Sequence, residues 1–405
     1  MGYTSPMLHP DLLESARALS NRIVSLRRAI HAEPELGLHT PMTMAKVRSA
    51  LAHLPLEWRE GTSTTGQVAI LRGARPGRRV LLRGDMDALP MDEATGLDFA
   101  STIPGRMHAC RHDTHTAMLA GAAELLAARR EEFAGEVMFM FQPGEEGHHG
   151  ARFMLDDGLL NPLPEAAFAL HIMPNAPHGM IGGKPGPLMA AADQFDIAVK
   201  GRGGHASMPH DTRDPVPAAC AIVTAIQAMV TRRFNAADAV IATVTQLQAG
   251  TAHNVIADHA TLRGTLRSLS PHHRAQLHTL LREVAAGTAA AHGVEAEVAI
   301  IEGFPVTICD PRAVDLGRAV VSEALGEQAW RELPAPIMGA EDFAYVLDKV
   351  PGAMFFLGVA REGEDWRQCC AIHSPRMHVD ESALPHGTAV LAGCALRFLD
   401  TGFAA

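Results

Sequence analysis

This sequence has few cysteines, and none are spaced C-x-x-C: the six lie at 110, 220, 309, 369, 370 and 394. That excludes a disulfide framework as the organising device. No apolar run approaches the ~20 residues that would cross a bilayer. The opening MGYTSPMLHPDLLESA lacks a basic stretch followed by an apolar run, so no signal peptide is expected. The formal net charge is −10, yet no long acidic or basic run occurs. This argues against nucleic acid or an anionic membrane as the main partner. Internal repeats and low-complexity segments are also lacking. Together these absences predict a soluble protein of the reducing cytoplasm.

What is present is apolar residues and histidine. The chain has 405 residues, 47% of them hydrophobic, enough to fill two domain cores. It has 22 histidines, a supply that permits a histidine-rich metal site.

In chain order, Leu12 to Ala32 carries Leu19, Ile23, Leu26 and Ile30 at helical spacing, predicting one amphipathic helix. A second helix is expected over Thr43 to Ala52. Gln67 to Leu71 and RVLLR (79–83) read as strands. The latter runs into GDMDALPMDE. Asp85 and Asp87 therefore sit just past a strand end, where open α/β sheets place their ligand-binding loops. Thr114 to Arg130 reads as a helix with Asp113 as N-cap, leaving His112 outside it. The strand EVMFMFQ ends in QPGEEGHHGA, which places Glu145 and Glu146 on a Gly-rich loop. The strand from Ala166 to Leu170 ends at His171. Repeatedly, a buried strand delivers an acid or a histidine at its carboxyl end.

From about Met189 the pattern changes. Strands at Phe195–Val199, Ala239–Gln248, His259–Ser268 and Val294–Glu302 interleave with helices at Pro215–Arg233 and Pro271–Ala291. That β-α-β-β-α-β order is the ferredoxin-like split arrangement. The expected division is 190–303 as an inserted α+β domain, with 1–189 and 304–405 forming an α/β catalytic domain.

The stretch Gly105–Ala123, GRMHACRHDTHTAMLAGAA, holds Cys110, His112, Asp113 and His115 within six positions. Side chains two apart on extended chain point the same way, so Cys110 and His112 can converge on a divalent metal. With Glu146, His171 and His373 the donors number five. One catalytic ion usually takes three protein ligands; five suit two ions ~3.5–4 Å apart sharing a bridging ligand. Adjacent Glu145 and Glu146 cannot easily face one ion, so one is free to act as a base. Asp87 is placed to orient a ligand imidazole. His115, His108, His148, His149 and His378 are weighed as competitors for ligation, and His31 as a loop anchor.

Here the chain resembles the M20 metallopeptidase family, in its amidohydrolase subgroup of hippurate, N-acyl-amino-acid and auxin-conjugate hydrolases. The matching stretches are RRAIHAEPELG, LLRGDMDALPMDE, GRMHACRHDTHTAMLAGAA, FQPGEEG, LHIMP, GRGGHASMP, AHNVIAD, RGTLRS, GAEDFAYV and IHSPRMHVDE. They run in order along nearly all of the chain. The resemblance implies a zinc-exopeptidase-like catalytic domain with an inserted lid that also dimerises. It implies two divalent ions (Zn, Mn, Co or Ni) ligated by Cys110, His112, Glu146, His171 and His373, with Glu145 as general base. In the lid, His205 resembles an oxyanion-steadying histidine that reaches a partner subunit. Asn254 and Arg267 resemble residues near the substrate carboxylate. The substrate expected is an N-acyl-L-amino acid.

One position departs from the family pattern. Between the Cys and the His the family carries Gly; here Arg111 stands. If that position needs a positive φ, Arg is strained by ~1–2 kcal/mol. A guanidinium beside two cations must point away or pair with a carboxylate, the substrate's included. The alternatives are a dipeptidase or aminopeptidase of the same fold, and a catalytically silent binding homologue.

Overall fold

The structure is a computed structural model, and it describes residues 11–403. Two short helices open the described residues, α1 (Leu12–Ala18) and α2 (Ser20–His31), followed by α3 (Pro41–Ala50). The single helix expected over 12–32 is broken at Leu19, which caps one helix and starts the next. Then come β1 (Glu57–Glu60), β2 (Gln67–Arg72), β3 (Arg75–Asp85), α4 (His112–Ala127), β4 (Ala134–Gln142), α5 (Gly150–Asp156), β5 (Ala166–Met173), β6 (Ile181–Gly183) and β7 (Gly186–Met189).

The second unit begins there, with β8 (Ala191–Lys200), β9 (Gly204–His205), α6 (Pro215–Arg233), β10 (Val240–Ala249), β11 (Val255–Ile256), β12 (His259–Ser268), α7 (Pro271–Ala291) and β13 (Glu295–Ile301). The chain then returns through β14 (Thr307–Cys309), α8 (Pro311–Leu325), β15 (Trp330–Glu332), α9 (Ala344–Leu347), β16 (Gly352–Gly358) and α10 (Leu384–Thr401).

The first unit holds the chain up to Leu188, Ile308–Ala335 and everything from Asp342. Its eight-stranded mixed sheet has the order β1-β2-β4-β3-β5-β16-β6-β15. The central strands β4, β3, β5 and β16 run parallel. Such strands are covered on both faces, and their sequences are unbroken apolar runs for that reason. Val80, Leu81 and Leu82 of β3 are wholly buried, as are Val137 to Phe141 of β4. Helix α4 lies against β3. At Gly84 an added Cβ would fall 2.8 Å from the His115 carbonyl oxygen, so only glycine lets strand and helix approach this closely.

The second unit comprises Met189–Thr307 together with Pro336–Glu341. Its antiparallel sheet has the order β10-β12-β8-β13. Phe195, Ile197 and Val199 of β8 alternate inward and pack with Ile222, Ile226, Leu277 and Leu281 of the two helices. One expectation is corrected here. Helix α6, 19 residues long, is apolar enough by length and composition to cross a membrane. It nevertheless packs its Ala218, Ala219, Ile222, Ile226 and Met229 face into this core, as the helix layer of a βαββαβ unit.

Candidate metal centre

The carboxyl ends of β3, β4 and β5 converge on the start of α4. Helix α4 begins at His112 itself, and its N-cap is Arg111 at φ 66°, ψ 34°. The expected cap, Asp113, is instead a buried residue inside the first turn. It pairs with Arg27 at 2.7 Å and His31 at 2.9 Å. The reason is charge. Arg27 and His31 stand four apart on α2 and face one way. A buried cation takes the nearest carboxylate, and Asp113 is drawn from capping to ion pairing. Burial alone would raise the Asp113 carboxyl; Arg27 and His31 outweigh it and hold it well below the usual range.

Because the helix starts at His112, the rings of His112 and His115 do share a face, 5.5 Å apart. His115 is still no free donor. Its Nδ1–H meets Asp85 Oδ1 at 2.6 Å, and its Nε2 accepts the Ile172 N–H at 2.9 Å. Both nitrogens are spent on hydrogen bonds. His171 differs. Its Nδ1–H donates to the Ile172 carbonyl at 2.6 Å, leaving Nε2 with its lone pair 3.3 Å from Cys110 Sγ. A ligating imidazole is oriented in this way. Burial, reinforced by His115, keeps His171 well below the usual histidine range, hence neutral.

His112, Glu146 and Cys110 complete the cluster. His112 Nδ1 faces Asp87 at 3.5 Å. Its Nε2 stands 3.6 Å from Asp85 Oδ2, 3.9 Å from Glu145 and 4.0 Å from Glu146. Glu146 Oε1 lies 3.3 Å from His373 Nε2. Among the described residues, both ring nitrogens of His112 and Glu146 Oε1 are buried without an aligned hydrogen-bond partner. Buried polar atoms normally have one, so such orphans need an explanation. Two donors at ~2.1 Å from one ion in tetrahedral array stand ~3.4 Å apart, the scale of these separations. The residues therefore fit a bound metal. Five groups of mutually close donors occur among the described residues, Cys110–His112–His171 and Cys110–Glu146–His373 among them. Cys110 belongs to both of these. Burial pushes its thiol up to about 12, so at neutral pH a cation must displace the proton.

Asp87 and Arg83 hold this cluster in place. Asp87 accepts the backbone N–H of Glu145 at 2.9 Å and of Glu146 at 3.0 Å. Expected only to orient an imidazole, it also fixes the loop that carries both glutamates. Arg83, which sequence reasoning missed, is buried on β3. It pairs with Asp85 at 2.6 Å, with Asp342 at 3.0 Å and with Gln142 at 2.9 Å. Asp342 also accepts the Ala151 N–H at 2.9 Å at the start of α5. Burial opposes the Asp85 charge, but Arg83, His112 and His115 keep it ionised well below the usual range.

The φ of Arg111 is in the left-handed region, so the strain foreseen for a non-glycine residue is present. Its guanidinium points into the protein. It is buried, donates through Nη2 to the Met377 carbonyl, and places Nη1 2.8 Å from His31 Nε2. Burial lowers it to about 10. Of the two postures expected for it, the structure has the one directed away from the donors.

The other expected site residues lie in the second unit. His205 is exposed on β9, its Nδ1 accepting from Ser207 Oγ at 2.8 Å. Asn254 sits beside it, its carbonyl accepting the Ala206 N–H at 3.1 Å. Arg267 is half-buried on β12, with Nη1 on the Leu266 carbonyl at 3.1 Å.

Residues 81–397 match the family described as Peptidase family M20/M25/M40. An N-acetylcysteine deacetylase of Bacillus subtilis (strain 168) is 38% identical, over 95% of this chain and 99% of its own length. Thermostable carboxypeptidase 1 of Saccharolobus solfataricus is 37% identical, over 96% and 99%. A solved Bacillus subtilis structure, described as a dinuclear metal binding peptidase from the M20 family, superposes with a TM-score of 0.82 at 34% identity, covering 95% of this chain and 99% of that one. The chain belongs to peptidase family M20/M25/M40 and is a hydrolase of amide C–N bonds.

Proposed function

We propose that this protein cleaves the amide bond of N-acyl-L-amino acids with two divalent ions bound at the Cys110 cluster. The observation that carries the reading is that one buried thiol is shared by two separate donor groups. Cys110, His112 and His171 would hold one ion, and Cys110, Glu146 and His373 the other. Bound there, the ions supply Lewis-acid polarisation of the amide carbonyl and acidify the attacking water. Glu145 takes the proton of that water at its carboxylate and later delivers it to the leaving nitrogen. Asp87 keeps Glu145 and Glu146 in place through their backbone N–H groups. His205 hydrogen-bonds the oxyanion, and Asn254 and Arg267 receive the substrate carboxylate. These roles for the second unit rest on the family resemblance. The same resemblance assigns a homodimer in which His205 serves the partner's site; light scattering on the purified protein tests it. The −10 charge and six unpaired cysteines suit a reducing cytoplasm.

An N-acyl substrate is favoured by the deacetylase relative. A peptide substrate is the second reading, favoured by the carboxypeptidase relative of nearly equal identity. Amine release from N-acetyl-, N-benzoyl- and indoleacetyl-amino acids beside dipeptides, with Mn²⁺ or Co²⁺ and again with chelator, separates the two. Chelator-sensitive turnover of the acylated set supports the first; turnover of dipeptides alone supports the second. Silence across the panel from protein that takes up no metal when Mn²⁺ or Co²⁺ is supplied would sink both.

A further inference from the structure

His373 is the donor that neither a strand end nor a helix start supports. It sits on a loop, itself at φ 66°, and its side chain is 51% exposed. A ligand must be held within about half an ångström to be useful. Among the described residues, three hydrogen bonds tie this loop to neighbouring segments. The His373 N–H donates to the Ala109 carbonyl at 2.9 Å, the Ala94 N–H to the Pro375 carbonyl at 2.8 Å, and Arg111 Nη2 to the Met377 carbonyl. The first and third lead back to the residues that flank Cys110. Of the three, only the third is made by a side chain.

We propose that Arg111 is a positioning residue that clamps the 371–378 loop onto the Cys110–His112 turn and so sets His373 against Cys110 and Glu146. Two observations support this beyond the hydrogen bond. First, an arginine holds a left-handed backbone conformation where glycine would be unstrained, and such strain persists only where the surroundings over-determine it. Second, carboxylates close to its buried charge offset part of the cost of burial. Arg111 lies against His31, which is set between Asp113 at 2.9 Å and Glu93 at 3.1 Å. The neighbouring cation, Arg27, takes Asp113 and Glu381. The fork of the guanidinium can thus reach His31 and Met377 at once, tying α2, the start of α4 and the ligand loop together.

The part of this inference that concerns metal rests on the two-ion reading; the part that concerns the loop does not. Hydrogen exchange is therefore measured first, on the full chain without metal. In Arg111→Gly, which relieves the strained backbone, exchange at the His373 amide should rise about tenfold or more while β16 stays protected. Arg111→Lys, which keeps the charge without the fork, should fall between. Co²⁺ titration then follows the visible spectrum. In Arg111→Gly one ion should weaken about tenfold or more and the other stay within a factor of two or three. His373→Ala should weaken the same ion, and the double variant should add little to either. Unchanged exchange over 371–378, equal weakening of both ions, or additive single effects would overturn the clamp. A wild-type protein that binds fewer than two ions sinks the dinuclear reading, and the exchange data still decide the clamp.

Discussion

Replacing Asp87 by Asn changes one atom of a carboxylate that is 1% exposed. One oxygen accepts the Glu145 N–H and the other the Glu146 N–H, at 2.9 and 3.0 Å. In Asn one oxygen becomes NH₂, a donor aimed at a donor. A buried N–H left without an acceptor costs ~1–3 kcal/mol, and the surviving bond loses its charge assistance, ~1 kcal/mol more. The expected loss is thus ~2–4 kcal/mol in the first unit. Trp58, Trp330 and Trp366 are the only tryptophans and all lie in that unit, so their emission in urea reports its unfolding alone. Metal affinity should fall ~10–100-fold, because His112 loses the carboxylate behind its Nδ1. If Asp87→Asn melts with wild type and binds Co²⁺ equally well, Asp87 does not hold the glutamate loop and the argument fails.

Glu145→Gln should keep two ions per chain by metal analysis while kcat falls ~10²–10⁴-fold; lost metal would instead make Glu145 a ligand. Gly84→Ala should push α4 from β3, given the 2.8 Å contact, and cost ~1–3 kcal/mol in the same urea assay. In the second unit, burial would raise the Asp193 carboxyl, but hydrogen bonds from Arg274, the Gly303 N–H and His278 hold it below its ordinary 3.8. The folded state then binds fewer protons than the unfolded one below about pH 4. The contribution of Asp193 is complete above the unfolded value near 4 and is lost as pH falls from there through the lowered folded value. Exchange protection of α7 should show that loss, and Asp193→Asn should remove it. Dialysis against a chelator should abolish turnover, and Mn²⁺ or Co²⁺ should restore it; turnover that survives metal removal would exclude the proposed chemistry.

The sequence was most legible where period and strand ends coincide. β12 falls on its expected residues because its side chains alternate, and α6 and α7 because Pro in the first helical turn and Asp or Ser before it mark the starts. The candidate donors stood out because chemistry at a strand end has few other uses. The buried charges were not. Asp113 before an apolar helical run carries the mark of a cap, and only the distant pair Arg27 and His31 changes its role. Arg83 at the end of the buried strand RVLLR carries no sign of a role until Asp342, 259 positions later in the chain, is brought to it. Such long-range pairing leaves no local signal, although the i, i+4 spacing of Arg27 and His31 was one that could have been used.

The uneven exposure of the donors has a kinetic consequence. Cys110, His112 and His171 are nearly inaccessible and Glu146 only slightly open, whereas half of the His373 side chain faces solvent. Ligand exchange at such a cluster starts at the one donor that water can reach. The ion shared with His373 should be the first to depart and the first to be replaced, and the deeper one should turn over on a slower clock. A chelator time course would then have two phases, with the faster one set by how often a single surface imidazole swings away.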